Sequence, residues 1–144
     1  MNWKAEAKEK LQRYDAMRIA TLNIPQEIKR LEIDAQSIRS ARTDGTPVCG
    51  GGSKREEAML NNIIHRQELE RTLQQALFWL KNTDRALTAL TDEETQILRR
   101  LYIYPERGAV NRLAEELGID TSVVYRRGEK ALKQFTLAYY GALE

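Results

Sequence analysis

From Trp3 to Ile38 the apolar positions advance in alternating steps of three and four: Trp3, Ala7, Tyr14, Met17, Thr21, Ile24, Ile28, Leu31, Ala35 and Ile38, with Lys10 the one miss. An average step of about 3.5 residues is the seam of a coiled coil, narrower than the stripe of a globular helix. Pro25 falls inside the run, where proline removes a helical N–H and crowds the preceding turn. Asn23, with Gln26 three residues on, is placed to cap a restarted helix. Because the seam keeps its phase through Thr21, Ile24 and Ile28, the pattern predicts a kink there and no change of direction. A second seam follows over Met59, Ile63, Leu69, Leu73, Ala76, Leu80, Thr83, Leu87 and Leu90, widened by Leu77, Phe78 and Trp79.

Between the seams lies "GTPVCGGGSKREE", Gly45 to Glu57. Its glycines, serine and lysine suggest a phosphate-binding loop, but Gly51 stands where the lysine belongs and Ser53-Lys54 are in reversed order. The preceding "AQSIRSARTD" is polar and helix-prone, so the buried strand that such a loop follows is missing. A hinge explains the composition better. Asp44-Gly45, Thr46-Pro47 and the glycines to Gly52 supply turn chemistry, and Ser53 with Glu56 can cap a second helix. Two seamed helices joined by such a connector hide their apolar faces by folding back as a long antiparallel hairpin.

A third unit begins at "LTDEETQILRRLY", where Thr91 and Glu94 form a capping box and Asp92, Glu93 and Glu94 suit a helix N-terminus. Ile97, Leu98 and Leu101 make its inner face, Pro105 and Gly108 break it, and a further helix spans Val110 to Leu117, ended by Gly118. In "AVNRLAEELGIDTSVVYRRGEKALKQF" the spacing of Ala114, Gly118 and the aliphatics Leu113, Leu117, Ile119 and Val124 is that of a helix-turn-helix. Asp120 is placed to cap its second helix, whose exposed face presents Thr121, Ser122, Tyr125, Arg126, Glu129 and Lys130. The reading is therefore all-α. A coiled-coil-like helical hairpin over residues 1–90, with its connector at 41–54, serves oligomerisation or partner binding, and a small helix-turn-helix domain occupies 91–144.

Composition changes this picture little: 31% charged and 42% hydrophobic residues describe an ordinary globular chain of 144 residues, about one domain's worth. The net charge of +2 means that affinity for nucleic acid must come from a local patch. One exists. Between Thr121 and Tyr140 the charges are Arg126, Arg127, Lys130 and Lys133 against Glu129 alone, and Arg99, Arg100, Arg107 and Arg112 extend the patch toward flanking phosphates. Arg and Tyr reach base edges and phosphates, while Thr and Ser at a helix N-terminus contact backbone oxygens. The candidate DNA-binding residues are thus Thr121, Ser122, Tyr125, Arg126, Arg127, Lys130, Lys133 and Arg112. Periodicity turns Arg127 partly inward, its stem packing near Val123 and Val124 while its head snorkels.

A single cysteine, Cys49, and a single histidine, His65, supply neither a zinc site nor an internal disulfide, and no partner orients them as nucleophile and base. The sequence carries no enzyme signature, and no metal or cofactor is expected. No apolar run approaches the roughly 20 residues that span a bilayer. "MNWKAEAKEK" has no apolar signal core, which predicts a cytoplasmic address and no membrane partner.

The segment "LTDEETQILRRLY" with "LAEELGIDTSVVYRRGEKALKQF" resembles region four of bacterial sigma factors, including its closing Lys130-Ala131-Leu132. With the N-terminal hairpin and Gly-rich connector, the layout resembles small phage-encoded late transcription regulators of the RinA and ArpU type. That resemblance implies an activator of late phage or prophage genes in the cytoplasm of a bacterial host, acting at a promoter. Duplex DNA would be its partner, RNA polymerase a further one, and the N-terminal helices would make a homo-oligomer. A sigma-like recognition helix would run from Thr121 to Lys133 with Thr121, Ser122, Tyr125 and Arg126 toward the major groove. Sigma domains carry arginine and glutamate where Thr121 and Ser122 stand, so their sequence preference does not transfer. Two alternatives stand beside this reading: a phage small terminase subunit, which joins a helix-turn-helix to ring-forming helices, and a helical scaffold that binds RNA polymerase without DNA.

Overall fold

In the computed structural model, which describes residues 2–40 and 51–142, the chain is all-α, with six α-helices and no strand among the described residues. They are α1 (Trp3–Gln12), α2 (Tyr14–Ser40), α3 (Gly51–Leu87), α4 (Asp92–Leu98), α5 (Ala109–Leu117) and α6 (Thr121–Tyr140). The connector glycines up to Gly50, with Asp44-Gly45, Thr46-Pro47 and Cys49, lie outside the described residues. Two compact units divide the chain: Met1–Arg18 with Phe78–Glu144, and Ile19–Leu77. The first helix is grouped with the C-terminal segments.

The first unit is built on that helix. Asn2 caps α1 by accepting the Ala5 amide at 3.3 Å, and Trp3, Ala7, Leu11 and Tyr14 line one side. Leu11, fully buried, takes the place that the heptad reading assigned to Lys10, through steps of four, four and three. Ala7 and Leu11 pack with Ala86, Leu98, Ile103, Ala131, Leu132 and Phe135 into one core cluster. Full burial of residues such as Leu11 and Phe135 contributes about 1.5–3 kcal/mol each. A second cluster joins Ile97, Leu113, Ala114 and Val124, with Leu101, Leu117 and Ile119 against it.

The helix ends in this unit follow local chemistry. Thr91 Oγ1 accepts the Glu94 amide and Glu94 Oε1 accepts the Thr91 amide, each at 3.2 Å, completing the expected capping box of α4. Beyond Leu98 the chain widens into a π-helical turn, Arg99–Ile103, closed by the Tyr104 amide on the Arg99 carbonyl at 2.7 Å. Pro105 then bars further helix by lacking an N–H. Gly118, at φ +65°, ends α5: its amide reaches the Glu115 carbonyl at 3.3 Å and the Ile119 amide reaches Ala114 at 3.0 Å.

Two helix starts differ from expectation. Helix α2 runs through Pro25 without restarting at Asn23, since the missing proline N–H removes one rung while neighbouring residues bridge it; the break falls at Arg13 instead. Helix α3 begins at Gly51, so Ser53 lies inside its first turn and not at its cap.

In the second unit, Leu31 and Ala35 of α2 and Asn62 and Ala76 of α3 are buried. Asn62 Nδ2 donates to the Leu31 carbonyl at 2.8 Å, and Arg66 Nε donates to Asn62 Oδ1 at 2.8 Å. The α3 seam passes through these polar residues. Ile63, expected in it, is 38% exposed, because steps of three and four run Met59, Asn62, Arg66, Leu69, Leu73, Ala76. A polar side chain can occupy such a place when its amide finds partners.

Candidate nucleic-acid interface

Helix α6 buries Val124, Gly128, Ala131, Leu132, Phe135 and Thr136, a face set by steps of three and four. A Cβ added at Gly128 would stand 3.5 Å from Ile97 Cγ2 and Leu101 Cδ1, so the helix lies close upon α4 and the π-helical turn. Ala114 is buried where α5 meets this core, as a close approach of two helices requires. Ser122, Arg126, Lys130 and Lys133 lie on the opposite, open face of α6, while Thr121 and Tyr125, in line with the buried stripe, are exposed at the start of the helix, Tyr125 at 63%. Arg112 is exposed on α5.

Asp120 stands at the N-cap of α6 in extended conformation, φ −72° and ψ 155°, but its side chain makes no capping hydrogen bond, contrary to expectation. No acidic residue occupies the first turn, which leaves the positive end of the helix dipole beside Thr121 and Ser122.

Ion pairing sorts the basic residues. Arg127 Nη1 meets Glu93 Oε1 at 2.6 Å, so the side chain expected to reach DNA is held against the start of α4. Arg100, expected to extend the patch, bridges Glu106 and Glu116 with its side chain only 13% exposed. These two carboxylates hold its guanidinium still further above its usual range. Glu129, the one acid between Thr121 and Tyr140, is paired with Lys4 of α1. Arg112, Arg126, Lys130 and Lys133 have no carboxylate partner among the described residues.

The eight predicted residues thus fall into two groups. Thr121, Ser122, Tyr125, Arg126, Lys130 and Lys133 of α6 and Arg112 of α5 are exposed, whereas Arg127 is tied to Glu93. Sequence reasoning missed Lys4 and Glu93, which lie 125 and 34 residues from their partners, beyond the range of any helical periodicity. Beside Tyr125, a cavity of about 420 Å³ is lined by Leu101, Val110, Asn111 and Thr121.

No protein-family model, no curated protein and no solved structure matches the chain. Among the described residues no group of three or more His, Cys, Asp or Glu could hold a metal ion. No described helix is long and apolar enough to cross a membrane.

Proposed function

We propose that this protein is a sequence-specific duplex-DNA-binding transcription regulator in which α5, Gly118 and α6 act as a helix-turn-helix and α6 is the recognition helix. The observation that carries the reading is the row Arg126, Lys130 and Lys133, exposed and without carboxylate partners, on the helix whose open N-terminus offers Thr121, Ser122 and Tyr125. Such a face supplies cations for phosphates and a bidentate donor for guanine edges. The Schellman-type turn at Gly118 and buried Ala114 support the helix-turn-helix assignment.

The second unit serves as the assembling arm. The bond from Asn62 to Leu31, with Ile38 and Met59 lining one cavity and Ile28 and Leu73 another, supports an antiparallel pairing of α2 with α3. Exposed Leu22, Ile33, Leu60 and Ile64 give that pair apolar surface for a second copy. A two-fold dimer would set its half-sites about 34–36 Å apart, or a multiple. The late-gene promoter of a phage or prophage is the context that the sequence resemblance suggests.

Selection of fragments bound by the full chain from a prophage-bearing bacterial genome, at about 150 mM salt, tests this directly. One short sequence upstream of an operon is the expected outcome; recovery without any enriched sequence would overturn it. Arg126→Ala should then weaken specific binding by about 1–3 kcal/mol and relax preference at one position.

A further inference from the structure

Helix α1 lies along one edge of the proposed recognition face. Its Lys4 is paired with Glu129, one turn after Tyr125 on α6. Its Lys8, one turn after Lys4, places Nζ 5.8 Å from the ring centroid of Tyr102 in the π-helical turn. Helix α1 packs against both α6 and the π-helical turn, so Lys4 beside Glu129 and Lys8 beside Tyr102 follow one side of it, with Arg126, Lys130 and Lys133 on the neighbouring α6.

Two consequences follow for charge. Lys4 cancels the only carboxylate of α6, which would otherwise stand beside Lys130 and Lys133 and repel phosphate. Lys8 adds a cation with no carboxylate partner among the described residues, resting on an aromatic ring that limits its freedom. We propose that α1 is part of the duplex-DNA contact surface, with Lys8 meeting the phosphate backbone beside the groove that α6 enters and Lys4 keeping Glu129 neutralised at its edge. This rests on the regulator reading above. The contact is to phosphate and carries no sequence information, because neither lysine lies on the base-facing side of α6.

The experiment is a salt titration of full-length protein on a labelled 30-bp duplex, about three turns of DNA, using both the selected site and a scrambled sequence. Each phosphate contact contributes about 0.9 to the slope of log affinity against log salt. Lys8→Gln should lower that slope by about one on both duplexes and weaken both equally, while Lys8→Arg keeps it. Lys4→Gln should also weaken both duplexes, and Glu129→Gln in the same chain should recover part of the loss. Lys29→Gln, on α2, serves as the control and should change nothing.

Glutamine keeps helix propensity close to that of lysine, and the thermal midpoint of each variant reports whether the fold is retained. If Lys8→Gln is as stable as wild type and its slope is unchanged while Lys130→Gln lowers its own, α1 stands outside the interface and the inference falls. A shift confined to the selected site would also overturn it, since that is base readout. Failure of wild type to bind either duplex would overturn the regulator reading itself, and the inference with it.

Discussion

The Tyr14 hydroxyl donates to Asp84 Oδ1 at 2.5 Å, and its ring lies 6.5 Å from that of Trp79. Burial, and after it the Asp84 carboxylate, push the phenol up to about 12 from an ordinary value of 10.0. A raised value means that the folded chain keeps this proton over a range where the unfolded chain has lost it. The stabilisation is complete below pH 10 and lost as pH rises toward about 12. Tyr14→Phe should therefore unfold in urea with a shallower alkaline decline over that window; parallel declines for the two proteins would disprove the linkage. Lys10 shows how little a residue's type alone reveals. The one miss in the apolar seam, it sets Nζ 4.6 Å from the Tyr139 ring, 5.6 Å from Tyr140 and 5.9 Å from Trp79. Its charge faces three rings while Leu11 next door fills the core.

At the scale of elements, α2 and α3 illustrate how a periodicity can be right in phase and wrong in membership. Counting only apolar residues placed Ile63 in the α3 seam, but strict steps of three and four select Asn62 and Arg66. The buried amide of Asn62 answers the Leu31 carbonyl, a bond available in one register only. A single polar residue at such a place specifies register at a cost in stability. Asn62→Ala should lower stability by about 1–2 kcal/mol, since Arg66 loses its acceptor and a void remains. Asn62→Leu should not lower it, and urea titration compares the two; an equal loss in both would mean that the polar pair itself contributes stability. Helix starts and stops were more legible, because the capping box of Thr91 and the turn at Gly118 act within a few residues. The cap expected of Asp120 failed although the residue sits at the right place, since position alone does not orient a carboxylate.

For the whole molecule, the consequential finding is that the C-terminal segments share their core with α1. Without that helix, Leu98, Ile103, Leu132 and Phe135 would lose Ala7 and Leu11 as neighbours. Truncating a buried leucine typically costs about 2–5 kcal/mol, and this removal takes Leu11, Ala7 and Trp3 together. A chain lacking residues 1–13 should show a collapsed near-UV signal from Tyr139 and Trp79 and bind apolar dyes, with DNA affinity lost alongside. Retention of the wild-type thermal midpoint would show that the C-terminal segments fold without α1. The same packing brings Lys4 to Glu129, so the charge of the proposed recognition face depends on both ends of the described chain.

The sequence by itself determined the helical class, the seam of the first segment, the capping box, the glycine turn and which side of α6 is open. Each of these is set by chemistry acting over one or two turns, where spacing and residue type suffice. Tertiary structure alone decided that α1 joins the C-terminal unit, that Glu93 holds Arg127, that Lys4 neutralises Glu129 and that Asn62 replaces Ile63 in the seam. Those outcomes rest on pairings between residues 31 to 125 positions apart, which depend on how preformed faces meet and leave no periodic trace in the chain.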